Sequence, residues 1–146
     1  RLDEHDSAPP GPETAEEKEF FATGEELGYH TAMEYRFVSG GFVEQGPATV
    51  WMRSRVPLVA GEETTPLQRV FIAADSGNGV SAALDWRSTI FINTDLTVHL
   101  LREPLGEWVC LDAVTHVDGL GMADSALYDE RGRIGRAVQT LLVRSR

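Results

Sequence analysis

Residues 65–84 constrain the fold more than any other stretch. Thr65-Pro66-Leu67-Gln68 reads as a helix start, with Thr65 as N-cap, Pro66 at the first helical position and Gln68 three residues after the cap. The helix predicted from Leu67 to about Leu84 carries Leu67, Val70, Phe71, Ile72, Ala73, Ala74, Val80, Ala82, Ala83 and Leu84. A surface helix keeps a polar half, and this one has none, so it must be buried on most sides. Gly77 and Gly79 each weaken a helix by roughly 1 kcal/mol relative to Ala, so some close neighbour must favour small residues there.

The segments around this helix alternate as strands do. Thr31–Val38 places Met33, Tyr35 and Phe37 on one face, and in Ala48–Val56 the side chains of Val50, Met52 and Val56 oppose Trp51, Arg53 and Arg55. Four more strands are expected at Thr89–Arg102, Glu107–Asp118, Leu120–Tyr128 and Arg133–Arg144. The breaks Pro104-Leu105-Gly106, Asp118-Gly119 and Asp129-Glu130-Arg131-Gly132 separate them. Short turns between consecutive strands imply an antiparallel meander. The predicted class is α+β, an antiparallel sheet wrapped around one long, mostly buried helix.

At 146 residues the chain has the length of one domain. Its net charge of −10 is concentrated in residues 1–28, where nine acidic side chains face only Arg1 and Lys18. Ser7-Ala8-Pro9-Pro10-Gly11-Pro12 cannot sustain regular structure, so residues 1–28 read as an acidic linker or arm and residues 29–146 as the folded domain. A short helix over about 14–21 is the one element the arm could form. Neither part has the basic stripe that a phosphate backbone requires, which argues against nucleic acid and against anionic membrane surfaces. No run approaches the roughly 20 apolar residues of a membrane helix. Cys110 stands alone and no CxxC or HExxH spacing occurs, so neither an internal disulfide nor a metal site is expected. The acidic, polar N-terminus is unlike a signal peptide, and a cytoplasmic setting is the expectation.

Three segments resemble the second hotdog unit of the type II acyl-CoA thioesterases, the double-hotdog family. They are Val70-Phe71-Ile72-Ala73-Ala74-Asp75, the strand segment Ile92-Asn93-Thr94-Asp95-Leu96 running on to Arg102-Glu103-Pro104, and Gly135-Arg136-Ala137-Val138-Gln139. The likeness spans roughly residues 30–146. It implies a hotdog fold and hydrolysis of an acyl thioester by a water held between an Asp, a Thr and a Gln, which by motif are Asp75, Thr94 and Gln139. It also implies a second hotdog unit, either a copy of this chain in a homo-oligomer or a missing N-terminal half. Acyl-CoA is the expected substrate. No separate cofactor is expected, coenzyme A being part of the substrate.

The residues support that chemistry independently. Thioester hydrolysis needs a positioned water, a base and donors for the developing oxyanion. A carboxylate on an apolar helix is suited to the base, Gln and Thr orient a water without adding charge, and Gly77 and Gly79 permit close approach of backbone N–H groups. Asn78 stands between them as a donor or turn residue, and Asn93 and Asp95 flank Thr94. Arg102 and Arg136 are the candidates for the coenzyme A phosphates. Trp51, Trp86 and Trp108 are candidates for an acyl tunnel or for core packing. No nucleophile elbow is present, which disfavours an acyl-serine route. The competing reading is a non-catalytic unit that binds an acyl ligand or completes a neighbour's site, with Asp75 capping a helix segment.

Overall fold

The computed structural model describes residues 8–146; the first seven residues of the expected arm lie outside the described residues. The elements in chain order are β1 (Glu16–Glu17), α1 (Tyr29–Ala32), β2 (Met33–Ser39), β3 (Ala48–Ser54), α2 (Pro66–Ala74), α3 (Gly77–Val80), β4 (Thr89–Asn93), β5 (Thr97–Leu100), β6 (Val109–Asp118), β7 (Leu120–Asp129) and β8 (Gly132–Ser145). The strands form one antiparallel sheet in the order β1-β2-β3-β6-β7-β8-β4, with β5 also pairing with β8. One face of the sheet packs on the helices. Met33, Tyr35, Phe37, Val50 and Met52 meet Val70, Ala73, Ala74 and Val80 there in a single buried cluster, as the alternation in the sequence predicts.

The helix departs from its prediction. Its start is as expected: the Thr65 side chain accepts from the Gln68 N–H at 3.3 Å, and Gln68 Oε1 accepts from the Thr65 N–H at 2.8 Å. The helix then breaks after Ala74 and resumes as the single turn α3. The Ser76 N–H reaches back only three residues, to the Ala73 carbonyl, which tightens the turn and ends the α-helical ladder. Leu67 and Phe71 are exposed, so burial is confined to the face carrying Val70, Ala73 and Ala74.

The meander is shorter than predicted. Thr89–Arg102 divides at residues 94–96 into β4 and β5, and both lie along β8. The turn Pro104-Leu105-Gly106 therefore crosses between strands instead of closing a hairpin, because β3 and β7 occupy the two edges of β6. Of the strands predicted after the helix, β6, β7 and β8 form a continuous meander.

Residues 8–21 of the expected linker lie against the sheet. Glu16 and Glu17 pair with Phe37 and Arg36. Phe20 and Phe21 pack onto the main core. On the outer sheet face Trp51 donates its indole N–H to the Pro10 carbonyl at 2.7 Å and is buried with Trp108, Cys110 and Tyr128. Burial pushes the Cys110 thiol well above its usual range, which fits a packing role. Among the described residues no helix is long and apolar enough to cross a membrane, and no group of three or more His, Cys, Asp or Glu side chains is placed to hold a metal ion.

Candidate active site

The break between α2 and α3 explains why a glutamine interrupts the apolar strand β8. Gln139 is 1% exposed. Its Nε2 donates to the Asp75 carbonyl at 3.0 Å, and its Oε1 accepts from the Asn78 N–H at 3.1 Å. A continuous helix would satisfy those two backbone groups internally; at the break the Gly79 N–H bonds to the Ser76 carbonyl instead. Gln139 therefore splints the kink at two points. An amide has two donor hydrogens and two acceptor lone pairs, so one of each is left over.

Gly77 owes its place to this splint. A Cβ there would sit 2.8 Å from Ser125 Oγ and 3.0 Å from Gln139 Oε1. Gly77→Ala is expected to lower stability by about 1–3 kcal/mol, read as a shift of the denaturant midpoint. Gly79 is the opposite case, since a Cβ would meet nothing within 4 Å. Ser81 completes the local order, its hydroxyl donating to the Gly77 carbonyl at 2.7 Å and lying 2.8 Å from Thr115 Oγ1.

Asp75 caps α2 and is exposed, not buried as the apolar helix led us to expect. Its Oδ1 accepts from Asn93 Nδ2 at 2.9 Å. Asn93 ends β4, and it rather than Thr94 reaches across to the helix break. The Thr94 hydroxyl donates to the Thr140 carbonyl at 3.2 Å and toward Asp95 at 3.4 Å. The three residues matched by motif are thus assembled as a pair, Asp75 with Gln139, while Thr94 bonds elsewhere and Asn93 takes the place beside the carboxylate. Its position next to Thr94 was the available sequence signal.

Asp75 stands where two apolar hollows meet. One, of about 560 Å³, is walled by Phe20, Phe21, Phe42, Trp86 and Phe91, with Asp75, Ser76, Asn78 and Asn93 also on its lining. The other, also about 560 Å³, is bordered by Met33, Val56, Leu58, Phe71 and Leu96. Asp75 and Tyr29 line both. The Tyr29 hydroxyl donates to the Ile72 carbonyl at 2.8 Å and lies 2.8 Å from Ser76 Oγ, tying α1 to the kink. Desolvation raises the Tyr29 phenol; the Ser76 hydrogen bond opposes this and the nearby Asp75 charge adds to it. Of the three tryptophans, Trp86 lines the aromatic hollow, stacked on Phe21 at 5.5 Å, while Trp51 and Trp108 are buried in the cluster on the outer sheet face.

Arg102 and Arg136 are not brought to these hollows. Arg102 makes a bidentate pair with Asp129, at 2.7 and 2.5 Å, and also donates to the Gly132 carbonyl. Arg136 pairs with Asp124 on the outer face of the sheet, the side opposite Gln139. The geometry gives both arginines a structural task. Of the backbone N–H groups near Gly77 and Gly79, read as available to an oxyanion, those of Asn78 and Gly79 are engaged by Gln139 and Ser76.

The family model described as the acyl-CoA thioesterase C-terminal domain matches residues 5–143. No curated protein matches the chain. Among solved structures, a hypothetical thioesterase protein with coenzyme A from Streptococcus pneumoniae is similar at 14% identity and a TM-score of 0.54, covering 77% of this chain and 87% of that one. The acyl-CoA thioesterase II TesB2 of Mycobacterium marinum is similar at 16% identity and a TM-score of 0.57. It covers all of this chain, which spans only 58% of that one. The E. coli PaaI protein is similar at 16% identity and a TM-score of 0.50, with 77% and 79% covered. At these identities the likeness is one of fold, the hotdog arrangement of an antiparallel sheet around helices.

Proposed function

Because the chain belongs to the acyl-CoA thioesterase C-terminal domain family, we propose that it hydrolyses an acyl-CoA thioester at the helix break between α2 and α3. One observation carries the reading: a carboxylate, Asp75, held by Asn93 on a kink splinted by a buried glutamine, at the edge of an apolar hollow. Asp75 accepts a proton from a water as that water attacks the thioester carbon. The tetrahedral oxyanion then collapses, the C–S bond breaks, and the leaving thiolate takes the proton held by Asp75, which frees coenzyme A and restores the carboxylate. Gln139 offers its second amide hydrogen to the water or the oxyanion. Thr94 joins as a water ligand by turning its hydroxyl from the Thr140 carbonyl.

The reading includes a second hotdog unit. In its support, Ile92 on β4 lies directly across from Leu142 on β8, and both are exposed, as are Leu120 and Met122 on the neighbouring β7. An exposed apolar row of this kind is an association surface in a water-soluble protein. Sedimentation at micromolar concentration is expected to show a dimer, and a strict monomer would remove pairing from the proposal.

The test of function is release of free thiol from a panel of acyl-CoAs over a range of protein concentrations. Turnover whose specific rate rises with protein concentration supports both hydrolysis and pairing. Silence at every concentration, with acyl-CoA bound, favours the binding-unit reading, which the double commitment of Gln139 to backbone also suits.

A further inference from the structure

Gln139 does not answer every backbone group that the helix break frees. The Ile72 carbonyl is another, because the Ser76 N–H that would bond it in a continuous helix turns to the Ala73 carbonyl instead. The Tyr29 hydroxyl takes that place, donating to the Ile72 carbonyl at 2.8 Å and meeting Ser76 Oγ at 2.8 Å. The two contacts bracket Asp75, one at the residue directly after it and one three residues before it. Tyr29 opens α1, which runs without a gap into the core strand β2, whose Met33 and Tyr35 are buried. The other end of α1 is pinned where the Arg55 N–H donates to the Ala32 carbonyl at 2.8 Å. Asp75 is therefore held from three elements: its backbone by Gln139 on β8, its carboxylate by Asn93 on β4, and its flanks by Tyr29 on α1.

We propose that Tyr29 is a positioning residue, its hydroxyl fixing the end of α2 so that the Asp75 carboxylate stands at the junction of the two hollows. That the held carboxylate acts as a base rests on the function proposed above; that Tyr29 holds it rests on the geometry of the break. Stability alone is a poor account of this hydroxyl. Tyr29 is 45% exposed, and hydrogen bonds that water can replace add little to global stability. A phenylalanine would keep the ring's place on both hollows and lose only the two bonds. Those bonds count where displacement counts, since moving a reacting group by about 1 Å can lower a rate about a hundredfold. Because the ring also borders both hollows, direct contact with substrate is the competing role, and the test separates the two.

Tyr29→Phe is expected to lower kcat for acyl-CoA hydrolysis by about tenfold with KM unchanged. In the Asp75→Asn background the same substitution is expected to change kcat little, because a residue that acts through the Asp75 carboxylate has nothing left to position. A kcat unchanged by Tyr29→Phe, an equal fall in both backgrounds, or a loss expressed in KM overturns the proposal. Amide hydrogen exchange reads the same contact without turnover. In Tyr29→Phe the Ser76, Asn78 and Gly79 N–H groups, whose bonds define the break, are expected to exchange about two- to tenfold faster, while amides of β6 and β7 and the denaturant midpoint hold. Unchanged exchange at the break overturns the proposal. If no thioester turns over in wild type, the hydrolytic reading fails by itself, and the exchange comparison still decides whether Tyr29 holds the carboxylate in place.

Discussion

Asp75→Asn is expected to lower kcat by about a hundred- to ten-thousand-fold, the usual contribution of a general base, with little change in KM for acyl-CoA. The substitution keeps almost everything structural. An asparagine carbonyl oxygen still accepts from Asn93 Nδ2, and the backbone carbonyl of residue 75 still accepts from Gln139 Nε2. The side chain is exposed, so exchanging a carboxylate for an amide leaves no buried group unpaired, and the melting temperature should stay within a degree or two of wild type. What is lost is the ability to take a proton from water. Asn93→Ala separates the parts further. It frees Asp75 Oδ1 without removing the base, so kcat should fall by a smaller factor, about tenfold, while KM holds. Thr94→Val removes a hydroxyl that bonds to Thr140 and Asp95, and a fall in kcat there tests whether Thr94 turns toward the water. An unchanged kcat in Asp75→Asn would remove Asp75 as base and leave the binding-unit reading.

How much of this was legible in the sequence follows from which interactions are local. The alternation in Met33–Phe37 and the box at Thr65 and Gln68 are short-range signals, and both appear in the structure as read. The apolar run through Leu84 also reads locally, as one helix, but its length is decided elsewhere. The break needs a distant side chain to satisfy the freed Asp75 carbonyl and Asn78 N–H, and Gln139 lies more than sixty residues away. The glycine at 77 and the glutamine in an apolar strand were both visible as anomalies. Only the fold shows that they are the two sides of one contact. The same limit applied to Asp75, whose apolar neighbours implied burial although the kink turns it outward, and to Thr94, where a strand break passes the inward position to Asn93. The arm was misjudged for a related reason. Its composition resists regular structure, yet Trp51 and the Phe20-Phe21 pair fix it through contacts that carry no local pattern. The arginines show the same limit from the other side: the ion pair of Arg102 is invisible locally because its partner, Asp129, sits at a turn 27 residues away.

That partnership carries the largest expected stability effect. Asp129 is 0% exposed and accepts four hydrogen bonds, two from Arg102 and one each from the Leu105 and Arg131 N–H groups, while Arg102 also donates to the Gly132 carbonyl beside it. Together these fix the β7–β8 turn and the crossover at residues 102–105, the connection that lets β5 leave β8 and β6 join β3. Arg102→Ala leaves a buried carboxylate without its counter-ion, and the expected loss is about 3 kcal/mol, the low end for breaking such a pair because Arg102 is itself a third exposed. The pH dependence gives the sign that distinguishes this from a simple packing loss. Burial alone would raise the Asp129 carboxyl, but the Arg102 bonds and the two N–H groups outweigh it and hold the carboxyl below the usual carboxylate range. A depressed carboxyl stabilises the fold above its unfolded pKa of about 3.9, and that contribution is lost as pH falls through the folded value. Without Arg102 the folded carboxyl is less depressed, so less is lost on acidification. The gap between wild type and Arg102→Ala should therefore be widest at neutral pH and narrow below about pH 4, as measured by denaturant unfolding at each pH. A gap that stays constant into acid would assign the loss to the arginine's packing rather than to its charge.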